Sequence, residues 1–580
     1  MTRLPAKHDT GRRHLLIIPL AALFAVHPLM VHGCSCGHDF DFHLVSWMEA
    51  AKQFGHGNPY PHWAYSPAFN AGEPRFVFYP PLSWVLGALL GLLLTHLPGV
   101  SEAAGWNAVP IVFTWTALCA SGFAMHRLSR AFASANAALL AALLYLVNPY
   151  MLFTAYERTA YAELLAAAWM PLLLLAILQE EINIPSIALP LALLWLTNAP
   201  AAVIGSYTLA LLAALRVISE VRSLRQDQAV KTGLTSAAGA TLGLALAAFY
   251  IVPAAYERRF VQIAMATVGG MRIDQNFLFA HTGKSADALL HDTVLHTASA
   301  VAVVMLLATA AAMAALSIRR SRNRAARDSN YQVALPLLSL MIVTAAIAVL
   351  LTRISSPIWK YAPEAAFLQF PWRLLSVLAP VCVLILAAAL SRLRLNSQAM
   401  TIISIVFLIA LTLPAYHLFQ QRCYPGDTPP EQLELFHANG GVDPTDEYTP
   451  LTGDNDVLRT NDPPYWLASS PGAVASSGAV PGPAPAHLSV TAPNAEFLIL
   501  NLRDYPAWRI VRNGVLEPIH QERDDGLIAL PIPAGPSNIE IRYGRMADEI
   551  AGDIISVLAL PTLLIIKRGT HASSRAVSST

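Results

Sequence analysis

The chain has 580 residues, of which 55% are hydrophobic and only 13% are charged. A soluble chain of this length would form about four domains and carry about 25% charged residues, so the composition excludes that class. The 38 Lys and Arg nearly balance the 37 Asp and Glu, which argues against a nucleic-acid-binding protein. Five cysteines are too few for a disulfide framework, and Cys34 and Cys36 are too close to pair easily. The sequence predicts a polytopic membrane protein.

The apolar stretches predict about 12 transmembrane helices, because a span needs about 20 apolar residues. Residues 183 to 215 are too long for one helix, and Asn198-Ala199-Pro200 supplies a turn, so this stretch is interpreted as a hairpin of two spans. The other predicted spans are residues 14 to 33, 105 to 125, 133 to 152, 162 to 179, 232 to 253, 295 to 317, 333 to 352, 373 to 391, 399 to 417 and 551 to 566.

One apolar run, Leu82 to Leu97, is left out of the spans. It lies between Pro81 and Pro98 and would form about 24 Å of helix, which is short for a crossing. Without it, the basic clusters fall on one side of the membrane, as the positive-inside rule requires. We therefore predict a juxtamembrane helix at 82 to 97 and cytoplasmic termini. The clusters are Arg12/Arg13, Arg127/Arg130, Arg216/Arg222/Arg225/Lys231, Arg319 to Arg327, Arg392/Arg394 and Lys567/Arg568.

This topology predicts a mainly α protein with an extracytoplasmic β domain near its C-terminus. Short alternating segments predict the strands of a small antiparallel β-sandwich at His487 to Ala492, Glu496 to Asn501, Trp508 to Arg512, Leu527 to Ile532 and Ile539 to Tyr543. The predicted domains are a membrane domain (1 to 417) with outer loops 34 to 104 and 254 to 294, a Pro/Gly-rich linker region (418 to 486), the β domain (487 to 550), and a last helix with a cytoplasmic tail (551 to 580).

Ionisable residues are scarce inside the spans and collect at their outer ends, which argues against a proton-coupled carrier. The densest group contains Asp39, Asp41 and His43, within the segment Gly37-His38-Asp39-Phe40-Asp41-Phe42-His43. Such residues can act as general bases, as metal ligands or as their hydrogen-bonding partners. The alternative is a solvated polar cap on an amphipathic helix. The spacing of these residues does not match that of a zinc site. Whether the group binds another metal ion stays open.

Further polar and aromatic residues share the outer face. Arg158, Arg258 and Arg373 can contact phosphate bidentately, or they are snorkelling residues at the interface. Glu157 is a candidate substrate-binding residue, although an exposed helix cap is the more expected role of both Glu157 and Glu163. The aromatic residues of the outer loops, among them Trp63, Tyr79 and Trp372, fit either an interfacial belt or a platform for a sugar ring.

The order of these motifs resembles the bacterial membrane family labelled "6-pyruvoyl-tetrahydropterin synthase-related". The similar segments are His38-Asp39, Phe42-His43, Pro61-His62-Trp63, Asn70-x-Gly72-x-Pro74, Phe78-Tyr79-Pro80-Pro81-Leu82, Gln369-Phe370-Pro371-Trp372-Arg373 and Asp504-Tyr505-Pro506-Ala507-Trp508. The architecture is similar to the GT-C class of membrane glycosyltransferases, in which an acidic residue follows the first helix.

The resemblance implies a glycosyltransferase that moves a sugar from a polyprenyl-phosphate-linked donor to a glycan or lipid acceptor at the outer face of the plasma membrane. Asp39 then takes the place of the catalytic acidic residue, with Asp41 as the second choice and His43 beside them. The sequence lacks a second acidic pair with the spacing expected of metal-dependent oligosaccharyltransferases. Whether the reaction depends on a divalent cation therefore stays open. Two alternatives remain: a lipid or oligosaccharide transporter or flippase, and a non-catalytic envelope assembly protein.

Overall fold

The computed structural model describes residues 14–322, 336–392, 397–476, 478–517 and 520–578. The predicted basic residues Arg12, Arg13, Arg324, Arg327 and Arg394 lie outside these ranges. The described α-helices are, in chain order, α1 Ile17–His32, α2 Phe40–Gly55, α3 Arg75–Phe78, α4 Pro81–Thr95, α5 Glu102–Arg130, α6 Ala135–Leu146, α7 Pro149–Leu152, α8 Tyr161–Ala166, α9 Met170–Leu178, α10 Ile184–Thr197, α11 Ala199–Arg222, α12 Gln226–Leu246, α13 Ala248–Glu257, α14 Ala286–Arg322, α15 Leu337–Leu350, α16 Ser356–Tyr361, α17 Leu375–Ser391, α18 Ser397–Phe419, α19 Pro429–His437 and α20 Ala547–Ser578.

The protein is mainly helical, and its apolar helices are those of a polytopic membrane protein. In the described ranges, eight helices are long and apolar enough to cross a membrane. Two bent pairs bring the number to ten: α12 with the helix that follows it, bent by 74°, and α15 with the segment Arg353–Tyr361, bent by 92°. One span was predicted at each place, over residues 232 to 253 and 333 to 352.

The remaining two predicted spans fall on shorter apolar helices. α1 has 16 residues and α10 has 14, while α4, which the prediction left outside the membrane, has 15. The count of twelve therefore stays a prediction, because the excluded helix is as long as the two included ones. The hairpin turn is present, since Asn198 ends α10 and caps the first turn of α11 through a bond from the Ala201 amide.

The C-terminal region forms two antiparallel sheets. The strands are β1 Tyr465–Ala468, β2 His487–Ala492, β3 Glu496–Arg503, β4 Trp508–Arg512, β5 Val515–Leu516, β6 Leu527–Ile532 and β7 Gly535–Tyr543. One sheet has the order β1-β3-β6, and the other has the order β2-β7-β4-β5. The five predicted strands are present, three of them with the predicted bounds. Two further strands are β5 and β1, and β1 lies in the predicted Pro/Gly-rich linker region (418 to 486), so that region contributes to a sheet.

The two sheets share a core that also contains residues of the first outer loop. On β3, Leu498 and Leu500 belong to the core between the sheets, which includes Trp63 of the loop. The next side chain along the strand, Ile499, packs instead with Ala68 of the same loop. Because successive side chains point to opposite faces of a strand, β3 is buried on both sides. The β region is therefore docked on the outer loop rather than hanging free from it.

One disulfide joins distant parts of the chain. Cys36 pairs with Cys423, which lies 387 residues further on, just after α18. This pairing was not predicted, since only the neighbouring residues Cys34 and Cys36 were compared and they are too close to pair easily. Cys34, Cys119 and Cys382 are free and buried. The bond connects the loop after α1 to the segment after α18.

Candidate functional site

Four alternating charges form a chain of ion pairs where the loop after α1 meets three helix ends. Arg158 lies at its centre, with its Nη1 atom 2.5 Å from Oε2 of Glu163 and its Nη2 atom 3.7 Å from Oδ2 of Asp39. The same Glu163 oxygen lies 3.7 Å from Nε of Arg373. Exposure decreases inward, from 29% for the Asp39 side chain to 6% for Arg158 and 5% for Glu163. The carboxylate of Asp39 is therefore the open end of a buried network.

A break between two helical segments supplies Arg158. After α7 the chain makes a π-helical turn, Phe153–Glu157, and Thr159 then adopts a left-handed conformation with φ of 47°. Wide turns of this kind are often found at functional sites, and a positive φ is uncommon for threonine. The break leaves Arg158 pointing into the cluster, where the ring of Trp372 covers its guanidinium at 4.7 Å.

Glu163 is held by three groups. Besides the two arginines, the hydroxyl of Tyr150 donates a hydrogen bond to its Oε1. The expectation that Glu163 is an exposed helix cap is therefore wrong, since the residue is 5% exposed and fully engaged. A buried carboxylate is retained only when it is paired and hydrogen-bonded, and this one is.

Arg373 uses only some of its N–H groups in hydrogen bonds within the described ranges. Its Nη1 atom donates to the carbonyl of Leu368 at 3.1 Å and to Oε1 of Gln369 at 3.2 Å. Its buried Nε atom makes no hydrogen bond within the described ranges. Gln369 has φ of 58° and ψ of −49°, a conformation that costs free energy for a non-glycine residue. Such strain next to a cation with a free donor marks this turn as a candidate anion-binding element.

His38 and Asp39 form a pair at the exposed end of the cluster. Nδ1 of His38 lies 2.7 Å from Oδ1 of Asp39, and the imidazole is 70% exposed. The hydrogen bond and the charge of Asp39 raise the pKa of His38. Burial acts to raise the pKa of Asp39, but the hydrogen bond with His38 and the charges of His38 and Arg158 outweigh it and hold that pKa well below its usual range. Asp39 is therefore ionised at neutral pH.

His43 lies one turn further along α2, in an apolar setting. It is 1% exposed, and its ring lies 5.9 Å from that of Trp47 and 5.4 Å from that of Tyr161. Its Nε2 atom lies 3.4 Å from the hydroxyl of Tyr79. Burial and the nearby arginine charges lower the pKa of His43 to about 4. The imidazole is therefore neutral at pH 7.

Other predicted residues lie away from this cluster. Asp41 is exposed on the first turn of α2. Arg258 is exposed and pairs with Glu364 at 3.2 Å. Glu157 is half-buried and accepts a hydrogen bond from Gln421 at 2.7 Å. Trp63 is buried against Trp508, with ring centroids 5.2 Å apart, so it belongs to the interface with the β region.

The donors present do not favour a metal centre. No group of three or more His, Cys, Asp or Glu side chains in the described parts of the chain is arranged to hold a metal ion. The carboxylates of Asp39 and Glu163 are each already paired with an arginine. The cluster has instead the composition of a site for an anionic group and a proton.

Comparisons with known proteins give distant similarity only. No family model matches the chain, and no curated protein matches it either, so the family resemblance stays a prediction. Among solved structures, the chain is similar to the arabinofuranosyltransferase AftD from Mycobacteria, with 15% identity, a TM-score of 0.45 and coverage of 94% of this chain and 41% of that one. It is also similar to the archaeal oligosaccharyltransferase AglB from Archaeoglobus fulgidus, solved with an inhibitory peptide and a dolichol-phosphate, with 15% identity, a TM-score of 0.38 and coverage of 73% and 56%. The chain thus spans about half the length of these proteins.

Proposed function

We propose that the protein is a membrane glycosyltransferase that moves a sugar from a polyprenyl-phosphate-linked donor to a glycan or lipid acceptor at the outer face of the plasma membrane. The observation that supports this proposal is the chain of ion pairs from Asp39 to Arg373. It offers an ionised carboxylate at its open end and an arginine with a free donor at the other. Both are what sugar transfer from a phosphate requires.

The reaction needs one proton acceptor and one group that stabilises the leaving phosphate. The acceptor oxygen attacks the anomeric carbon, the bond from that carbon to the phosphate oxygen breaks, and the acceptor proton passes to a base. A direct displacement of this kind inverts the anomeric centre and requires no covalent nucleophile. Guanidinium groups suit the leaving phosphate, because they form charge-assisted and bidentate hydrogen bonds with its oxygens.

The geometry divides these roles among the charged residues. Asp39 is the base, and His38 holds it through their 2.7 Å contact. We assign the phosphate to Arg373, because its side chain is 12% exposed and its Nε atom, 3.7 Å from Glu163, makes no hydrogen bond. Arg158 is committed to Glu163 and Asp39, so we assign it a positioning role. No step is routed through a metal ion.

The disulfide supports the proposed side of the membrane. Disulfides persist in oxidising compartments and are rare in the cytosol. The bond between Cys36 and Cys423 lies three residues from Asp39 along the chain. A site built next to it therefore fits the extracytoplasmic face, where lipid-linked sugars would meet their acceptor.

A donor panel with matched variants tests the proposal. The purified protein in lipid nanodiscs is incubated with a set of polyprenyl-phosphate sugars, and release of polyprenyl phosphate is measured. Asp39→Asn should lower kcat by about 10²- to 10⁴-fold, the usual contribution of a positioned base. Asp41→Asn is the control, because Asp41 lies two residues further on, exposed on the first turn of α2, and should keep near-normal activity.

Three results would contradict the proposal. Consumption of no donor by the wild-type protein would exclude this class of transfer. Full transfer activity in folded Asp39→Asn would remove Asp39 from the mechanism. Movement of a fluorescent lipid-linked sugar across vesicles without any transfer would favour the transporter instead.

A further inference from the structure

The disulfide lies next to the candidate base rather than at the periphery. It ties residue 36, in the irregular loop between α1 and α2, to residue 423, with the two Cα atoms 4.8 Å apart. The loop has no helix or strand of its own between His32 and Phe40. Its position is therefore decided by its contacts with neighbouring segments.

On one side the loop is bonded to the helix break that carries Arg158. The hydroxyl of Ser35 donates to the carbonyl of Tyr156 at 2.6 Å, and the amide of Asp39 donates to the carbonyl of Arg158 at 3.0 Å. Gly37 packs directly against the backbone of Glu157 and Arg158 in the same helix break. A Cβ atom on Gly37 would overlap the carbonyl oxygen of Glu157 and lie 2.8 Å from its carbon.

On the other side the loop is bonded to the segment after α18. The amide of Cys36 donates to the carbonyl of Gln421 at 3.3 Å, and the amide of Gln421 donates to the hydroxyl of Ser35 at 2.9 Å. The side chain of Gln421 also donates to Glu157 at 2.7 Å, so all three segments are joined. The disulfide is the only covalent bond between segments in the described ranges.

We propose that the disulfide between Cys36 and Cys423 is a positioning element of the site, which holds the loop so that Asp39 lies beside Arg158. The inference rests on the proposed role of Asp39. The contact between Asp39 and Arg158 is long, at 3.7 Å, so a small outward movement of the loop breaks it. Each hydrogen bond of the loop contributes only about 1 kcal/mol net. The covalent bond is what keeps the loop in place when these bonds open.

The expected cost is large because catalysis is sensitive to position. A displacement of about 1 Å can lower a rate by about 10²-fold. Loss of the bond should therefore lower kcat by about 10- to 100-fold. The donor KM should stay within about twofold, because Arg373 is held by Gln369 and Leu368 rather than by the loop. A lower kcat with an unchanged donor KM distinguishes a positioning role from general destabilisation.

The experiment compares Cys36→Ser, Cys423→Ser and the double variant in nanodiscs, with activity normalised to folded protein. Each single variant should lose as much kcat as the double variant, since either one removes the bond. Cys34→Ser is the matched control: Cys34 is free, lies two residues away and contacts the carbonyl of Asn107. It should keep normal kcat. Mass spectrometry of a non-reduced digest first confirms the bond in the wild-type protein.

Amide hydrogen exchange of residues 35 to 43 provides a readout that needs no substrate. Exchange at Asp39 should accelerate in the variants without the bond, because its amide donates to Arg158. If the wild-type protein transfers no sugar, the proposed function fails, and the exchange measurement alone decides whether the disulfide positions the loop.

If the serine variants do not fold, brief treatment of the folded wild type with a dithiol opens the bond to two thiols while the reagent becomes a cyclic disulfide.

Three results would overturn the inference. The first is absence of the bond from the wild-type protein. The second is normal kcat and normal exchange at residues 35 to 43 after the bond is removed. The third is a loss of activity that only follows the loss of folded protein, or a change in donor KM without a change in kcat.

Discussion

Acidification should destabilise the protein through His43. This imidazole is buried among aromatic rings of α2 and its neighbours, and burial together with the charges of Arg158 and Arg75 lowers its pKa to about 4. Of the groups that act on this imidazole, only Asp39 raises its pKa. In the unfolded chain the pKa of histidine is about 6.5. Between these two values the unfolded state binds more protons than the folded state, so stability falls as the pH decreases.

The magnitude follows from the difference in pKa. One pKa unit corresponds to about 1.4 kcal/mol. The contribution of His43 to the free energy of unfolding is therefore fully present above about pH 6.5. It decreases by about 2 kcal/mol at pH 5 and by about 3 kcal/mol at pH 4. A loss of that size is a large part of the net stability of an ordinary domain.

Thermal unfolding of the protein in nanodiscs, followed by tryptophan fluorescence, measures the effect. The quantity compared is the change in Tm between pH 7 and pH 5 for the wild type and for His43→Gln, which cannot titrate. His62 is a second imidazole, half-buried, whose pKa is lowered by burial to about 4, so His62→Gln is compared in parallel. The reasoning is refuted if His43→Gln loses as much Tm on acidification as the wild type.

Three further predictions concern packing and charge. Gly37→Ala should abolish donor turnover and lower Tm, because its Cβ would overlap the Glu157 backbone, whereas Gly55→Ala, which has open space, should change neither. Glu163→Gln should lower the free energy of unfolding by about 3–5 kcal/mol, because it leaves buried arginine charge unpaired; an unchanged unfolding midpoint would contradict this. Trp63→Ala should lower the free energy of unfolding by about 3–5 kcal/mol and make the β region sensitive to limited proteolysis, because Trp63 packs in the core between the sheets. Equal resistance of the variant and the wild type to proteolysis would show that this tryptophan does not hold the β region in place.

Much of the fold could be predicted from local patterns. The bounds of β2, β4 and β6 were predicted as observed. β2 and β4 alternate because one face of each is turned to the core, whereas β6 is buried on both faces. Hydropathy located the long helices, because apolar length is a property of the segment alone. It did not predict the 74° and 92° bends, which depend on packing around a short break. Nor did it predict the docking of β3 on the outer loop, which joins residues hundreds of positions apart.

The site was predicted in part. Asp39, Arg158 and Arg373 were expected at the same end of the bundle, and they lie in one cluster. Glu163 was missed because a carboxylate near a helix start is usually a cap, and its burial depends on Tyr150 and on two arginines from elsewhere. The available signal was a pair of opposite charges, Arg158 between the predicted spans 133 to 152 and 162 to 179 and Glu163 at the start of the second span. The disulfide could not be predicted, because nothing in the spacing relates Cys36 to a cysteine 387 residues away.

The scarcity of charge inside the helices has a physical counterpart in the cluster. Its charged residues lie where the helical backbone is interrupted: Asp39 in the loop before α2, Arg158 after a π-helical turn, and Arg373 after the strained residue Gln369. Such breaks let long charged side chains meet at one point instead of facing lipid. Because the four charges alternate in sign, the cluster is neutral as a whole and tolerates burial. A phosphate group that enters beside Arg373 would give the cluster a net negative charge, which would favour release of the polyprenyl phosphate once the sugar has moved.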